Sequence, residues 1–411
     1  MHRCFPPVLL LSLPAALAGC GDALGPIEHL PRELSVAETN LVNANNRFAF
    51  RLFREVNTQE GDAGNVFISP LSVGMALGMT YNGAAGTTRD AMRQTLGFEG
   101  MTVQEINEAY RNLIALLRDL DPRVEFLLAN SIWYRDSVPI VPAFLETNQQ
   151  YFDAEVTGLD FADPASVDVI NGWVKTQTNG KIEGIVDAPI DPLTFMFLID
   201  AIYFKGDWTY QFDKSRTKDA DFQLAGGAQV SVPMMSSDGE MPIRLHWDPD
   251  YTVLDLRYGG QAYSMTIVVP QNPDTLDALA RDVTAAQWDA WIAQLHSTEV
   301  PVSMPRFTLE YDIELNDVLA ALGMGIAFTP GSADFTNMIS SGGAYIEKVK
   351  HKTFVDVNEE GTEAAAVTSV EMGFTSAQPR IVRVDRPFIF AIRENYSGTI
   401  LFIGKVVNPA G

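Results

Sequence analysis

Residues 357–379 read VNEEGTEAAAVTSVEMGFTSAQP, and the reading of this stretch decides the fold. Strand-like runs flank it, Tyr345–Val357 before and Ile381–Ile392 after, both rich in Val, Ile, Phe, Tyr and Thr. A connection this long inside a domain is uncommon and is usually functional or disordered. Its alternation argues for function. Thr362, Ala364, Ala366, Thr368, Val370, Met372 and Phe374 would share one face of a strand, and that face is uncharged. Glu363, Ala365, Val367, Ser369 and Glu371 would share the other, which holds both glutamates. The segment is patterned as a strand buried on one side, yet it stands where a loop must stand. The bland alternative is an Ala-rich linker without structure.

Outward from this stretch, the first half of the chain is mainly helical. Leu41, Ala44, Phe48 and Leu52 recur at helical spacing. Asn65–Ser69 is a short apolar strand running into a helix, with Ser69 as N-cap and Pro70 at the first helical position. Helices are expected over about 87–96, 102–119 and 142–152, and over 166–178, where Asn179-Gly180 stops the last. Further strand-like runs are Arg123–Tyr134, Thr194–Lys205, Tyr263–Pro270, Val300–Tyr311 and Thr399–Val406. Several are long for strands. No repeat or low-complexity linker follows residue 37. Long strands mixed irregularly with helices imply one α+β domain over 37–411.

The N-terminus reads as a targeting segment. Arg3 precedes an apolar stretch that ends in Leu17-Ala18-Gly19-Cys20, too short for a permanent membrane span. That ending is similar to the bacterial lipobox, in which the cysteine receives a diacylglycerol and becomes the first mature residue. The alternative is a plain signal peptide. Loss of residues 1–19 removes Cys4 and leaves Cys20 as the only cysteine, so no internal disulfide is expected. Residues 20–36, with two prolines and no periodic pattern, read as the lipidated cysteine and a tether. The expected location is therefore the cell envelope, periplasm or cell surface, or the extracellular space. A formal charge of -23 repels phosphate backbones and argues against nucleic-acid binding.

A search for enzymatic chemistry yields little. The chain has no G-x-S-x-G, H-E-x-x-H, G-x-x-x-x-G-K-[ST] or C-x-x-C. His29, His246, His296 and His351 are isolated from one another. Gly323-Met324-Gly325 reads as a helix end rather than a nucleotide loop. Glu359-Glu360 reads alone as solvated surface. No enzyme, cofactor or metal site is expected.

The stretch at 359–366, EEGTEAAA, resembles the hinge of the serpins, and Val384-Asp385-Arg386-Pro387-Phe388-Ile389-Phe390 resembles the strand that follows their reactive loop. Other matches stand in family order: NVFISPLS at 65–72, NGWVKTQTNGKI at 171–182, YFKGDW at 203–208, VPMM at 232–235, MPRF at 304–307 and FIGKVVNP at 402–409. Together they cover the whole domain. The resemblance implies a serpin fold of three β-sheets, about eight or nine helices and an exposed reactive-centre loop.

It also implies a mechanism. A serine protease, with cysteine proteases as a second class, would attack the loop and form an acyl-enzyme. The cut loop would then insert into the central sheet as a new strand, leaving a monomeric inhibitor in a covalent complex. Thr362 to Thr375 is 14 residues, a strand of roughly 46 Å that would drag the protease across the sheet. New backbone hydrogen bonds would release on the order of 10 kcal/mol, so the uncut fold must be held by a kinetic barrier. Glu359, Gly361, Thr362, Ala364, Ala365 and Ala366 form the implied hinge, with no inward proline or charge to stall it. The family's spacing counted from Glu359 puts the scissile bond at Thr375–Ser376, while counting back from Pro387 favours Ser376, and Phe374–Thr375 is the alternative. These residues suit elastase-, subtilisin- or chymotrypsin-like targets, and the absence of Lys and Arg from 370–377 disfavours trypsin-like ones. Ser69, Ser72 and His351 match a polar cluster that controls sheet opening. Asp200 stands where the family usually has asparagine, and an Asp200–His351 ion pair is expected. Trp208, Arg306 and Glu359 match the region where the loop starts into the sheet, with Arg306–Glu359 as a salt bridge. The competing reading is a non-inhibitory serpin that binds or carries a ligand.

Overall fold

In the computed structural model, which describes residues 25–61, 64–362 and 381–411, three sheets organise the chain. The central sheet, which holds Gly361 and Thr362 of the expected hinge, has six strands in the order β12 (Phe307–Glu314), β13 (Lys350–Val357), β14 (Gly361–Thr362), β4 (Met196–Asp207), β2 (Val124–Arg135) and β3 (Glu155–Leu159). A seven-stranded sheet runs β1 (Val66–Ile68), β17 (Ile400–Val406), β16 (Phe388–Glu394), β9 (Tyr263–Pro270), β8 (Tyr251–Tyr258), β7 (Met241–Trp247) and β10 (His296–Val300). The third has four strands, β15 (Val382–Arg383), β11 (Val302–Pro305), β6 (Gln229–Ser236) and β5 (Lys218–Gln223).

Nine α-helices are described: α1 (Val36–Glu60), α2 (Pro70–Gly83), α3 (Gly86–Leu96), α4 (Val103–Arg118), α5 (Pro142–Phe152), α6 (Ala165–Gln177), α7 (Leu276–Asp282), α8 (Ala285–Gln294) and α9 (Asn316–Leu319). Ser69 caps α2 through its hydroxyl, with Pro70 in the first turn. That matches the sequence expectation, because a proline there loses no hydrogen bond. Asn179 and Gly180 both have positive φ just beyond α6, which ends that helix. At Gly323, φ is 117°, so Gly323-Met324-Gly325 breaks a helical stretch as expected.

The central sheet is covered on both faces, which explains its apolar runs. Ile202 and Phe204 of β4 face the larger core shared with α2. Phe197 and Ile199, offset by one residue, face a smaller core with Val174 and Ile170 of α6. This period-two division is the strand pleat made visible.

Three strand expectations change. The run Val300–Tyr311 is divided among three sheets, because Pro301 lacks a ladder donor and Arg306 turns to bond the Pro233 carbonyl at 2.9 Å. The run Ile381–Ile392 is likewise split at Asp385-Arg386-Pro387 into β15 and β16, and strand structure before Val357 starts only at Lys350. The expected tether is also shorter than the sequence suggested. Ile27, Leu30 and Leu34 pack against the large core, so Gly25–Ser35 belongs to the domain. Cys20, Ala364, Ala365, Ala366, Phe374, Thr375 and Ser376 lie outside the described residues.

Candidate functional site: the mouth of the central sheet

The described residues of the expected hinge, Glu359, Gly361 and Thr362, lie at β14, which stands between β13 and β4. Gly361 pairs with Asp207 and Thr362 with Gly206 on one side, and Thr362 with Val357 on the other. Gly361 has φ +155°, and a Cβ there would stand 2.2 Å from the Gly206 carbonyl oxygen. Only glycine permits so close an approach of the two backbones.

Around β14 the sequence-predicted residues converge. Trp208, next after β4, stacks on Tyr258 with centroids 4.4 Å apart and planes at 12°. Its indole N–H donates to the Asn358 carbonyl at 2.9 Å, and its backbone N–H to the Glu360 carbonyl at 2.8 Å. Glu359 is 1% exposed. Arg306 donates to both its carboxylate oxygens, at 2.7 and 2.5 Å, and the Thr217 hydroxyl donates at 2.6 Å. Burial works against the Glu359 carboxylate, yet these hydrogen bonds hold it below the usual range. The expected Arg306–Glu359 salt bridge is present, and Lys214 pairs with neighbouring Glu360.

Deeper under the sheet, the Ser69 backbone N–H donates to His351 Nε2 at 2.9 Å, and the Ser69 hydroxyl donates to the Leu401 carbonyl at 2.8 Å. The Ser72 hydroxyl donates to the Asp200 backbone carbonyl at 3.3 Å. The expected Asp200–His351 ion pair is absent. An imidazole nitrogen that accepts from an amide is neutral, and burial pushes His351 down to about 4. Burial pushes Asp200 the other way, up to about 7. Neither of its carboxylate oxygens has a hydrogen-bond partner. Asn130, directly opposite Asp200 on β2, also has an unpartnered side-chain oxygen.

Among the described residues β4 and β13 form no ladder with each other; β14 alone links them. A cavity of about 640 Å³ is bounded by the first half of β4, the start of β13 and one face of α2, with Ser72, Leu77, Asp200, Met338 and His351 in its wall. The two sequence-predicted clusters thus mark the mouth and the floor of one sheet position.

Sequence reasoning missed Tyr258, whose hydroxyl lies 2.8 Å from that of Thr362, and Thr217, Lys214 and Asn130. None sits in a local pattern that distinguishes it from other strand and loop residues. Motif residues outside the site also acquire structural roles. The Asn65 side chain bonds the backbone of Val407 and Asn408, tying β1 to the end of the chain. That of Asn171 bonds the backbone of Ile185 and Val186, holding the segment after α6.

Comparison with known proteins agrees with this geometry. A family described as Serpin (serine protease inhibitor) matches residues 43–409, and the chain belongs to the serpin family. It is 39% identical over 376 residues to leukocyte elastase inhibitor of Bos taurus, covering 89% of this chain and 98% of that protein. Human thyroxine-binding globulin complexed with thyroxine superposes with a TM-score of 0.82 at 29% identity, covering 91% of this chain and all of that one. Native tengpin, a thermophilic serpin, gives 0.80 at 30% identity, over 93% and 97%. The fold is that of the serpins, and the protein is a protease inhibitor.

Proposed function

We propose that this protein is a suicide substrate that traps a serine protease, rather than an enzyme, by inserting its cleaved loop beside β14. The observation that carries the reading is the arrangement of the central sheet, in which β14 alone joins β4 to β13 above a cavity. The next residues after Thr362 are small and uncharged on the face that would turn inward. Inserted strands gain ladder hydrogen bonds on both edges, which supplies the driving force. Glu359, Gly361 and Thr362, with Ala364, Ala365 and Ala366, act as the hinge. Trp208 and Arg306 hold the mouth, and Ser69, Ser72, Asp200 and His351 control opening.

The scissile bond is Thr375–Ser376, with Phe374–Thr375 as the alternative. A small residue at that point suits elastase- or subtilisin-like pockets, and the similarity to leukocyte elastase inhibitor supports that target class. Cys20 carries a diacylglycerol and holds the protein at a bacterial cell envelope. Among the described residues no helix is long and apolar enough to cross a membrane.

The test mixes residues 21–411 with elastase, subtilisin and chymotrypsin, followed by denaturing electrophoresis and mass analysis of the released peptide. A band at the summed mass is expected, and the first residue of the peptide identifies the cut. Clean cleavage with full protease activity remaining would instead make this a non-inhibitory serpin that binds or carries a ligand, an alternative that the likeness to thyroxine-binding globulin complexed with thyroxine supports.

A further inference from the structure

The segment Gly25–Ser35 is fastened at a particular end of the molecule. The Ile27 backbone N–H donates to the Gly260 carbonyl at 2.7 Å, the Arg123 guanidinium donates to the Gly25 carbonyl at 3.2 Å, and the Tyr396 hydroxyl bonds the Ile27 carbonyl. Arg32 forms two hydrogen bonds to the carboxylate of Glu38, which is 1% exposed. From Gly25 onward the chain is therefore part of the domain.

That end is the mouth of the central sheet. Gly260 donates to the Asp121 carboxylate at 2.6 Å, just ahead of β2. Its neighbour Gly259 donates to the Asp207 carbonyl at 2.8 Å and accepts from the Thr209 hydroxyl at 3.0 Å. Asp207 is also the residue that Gly361 pairs with. Four residues lie between Cys20 and Gly25, and the five residue steps that join them reach, fully extended, at most about 18 Å. Met196, at the other end of β4, is roughly 36 Å from Asp207 at 3.3 Å per residue.

Resting on the lipid anchor and loop insertion proposed above, we infer that the surface around Gly25, Arg123, Gly260 and Tyr396 is the one turned toward a lipid bilayer, and that insertion carries a captured protease away from the membrane. The direction follows from the register. β14 is antiparallel to β4, pairing first Asp207 and then Gly206. A strand continuing it advances toward Met196, so a protease bound at its far end finishes on the side opposite the anchor. Four intervening residues are too few for the domain to present its Met196 end to the bilayer while Gly25 stays bonded to Arg123.

The chain itself allows a clean test, because Cys20 is the only cysteine of the mature sequence and the lipid consumes it. Full-length lipidated protein with Tyr210→Cys at the mouth, 44% exposed, or Leu193→Cys at the far end, 78% exposed, takes one donor dye each. Energy transfer is then read to an acceptor lipid in phosphatidylcholine vesicles. Transfer from Tyr210→Cys should exceed that from Leu193→Cys several-fold. Equal transfer, or the reverse order, in protein whose mass includes the diacylglycerol overturns the orientation while leaving the anchor intact. Membrane-fraction protein without that added mass overturns the anchor, and this inference with it, whatever the inhibition assay gives.

Discussion

The hydroxyls of Tyr258 and Thr362 lie 2.8 Å apart and buried, one on the seven-stranded sheet and one on the two-residue strand within the proposed hinge. This bond joins two sheets at the point where the proposed insertion starts. Tyr258→Phe leaves the Thr362 hydroxyl, 2% exposed, without that partner. The expected loss of native stability is about 1–3 kcal/mol, read from urea unfolding of the uncut protein. A double variant with Thr362→Val should recover part of it. An unchanged midpoint in Tyr258→Phe would mean that the bond holds nothing.

Gly361→Ala tests the tight approach of β14 to β4. The added Cβ would meet backbone rather than a side chain that can turn away. The hinge should leave the sheet, at a cost of at least about 1–3 kcal/mol to the local structure. Amide exchange at Thr362 and Trp208 should quicken. Protection equal to that of the parent would show that the backbones can part without losing the ladder.

Arg306→Ala leaves the buried Glu359 carboxylate with Thr217 as its remaining side-chain donor. The Arg306 side chain is 46% exposed, so solvent screens the pair and the expected loss is about 1–3 kcal/mol rather than the full value of a buried pair. The pH sign follows from Glu359, whose folded carboxyl is held below its usual value. The stabilisation is present above the unfolded pKa and is lost as pH falls through the folded one. Arg306→Ala should therefore lose stability at neutral pH and flatten the acid limb. Acid limbs that superimpose would count against the pair.

Asp200 and His351 give opposed pH effects. With a folded pKa of about 7 against 3.8, Asp200 binds more protons when folded. Its contribution to stability thus falls as pH rises from about 4 to 7, by up to about 4 kcal/mol. His351, at about 4 against 6.5, binds fewer protons when folded and adds stability as pH rises from about 4 to 6.5. The two slopes offset each other across most of that range. Asp200→Asn removes only the first, so the variant should gain stability steadily from pH 4 to 6.5 and exceed the parent at pH 8. Parallel profiles for parent and variant would refute this account of Asp200.

The features legible in the sequence alone were local. The N-cap at Ser69, the proline after it, the stop at Asn179-Gly180 and the alternation after Gly361 all depend on residues a few positions apart. Backbone geometry answers to such patterns directly. The motifs also gave the pairing of Arg306 with Glu359, because a long guanidinium and a carboxylate tolerate small errors in placement. The division of 300–311 among three sheets was hidden, since three short β-rich pieces in series look like one strand.

Tertiary structure alone decided the rest. Whether Asp200 met His351 depended on what else reached the imidazole, and the Ser69 amide, 282 positions away in sequence, took its Nε2. Whether residues 25–35 stood off the domain depended on Gly260 and Tyr396, far along the chain. Residue types and spacing specify which groups are able to pair; strand register and burial choose among them, because hydrogen-bond partners are selected within a few tenths of an ångström by contacts between distant segments.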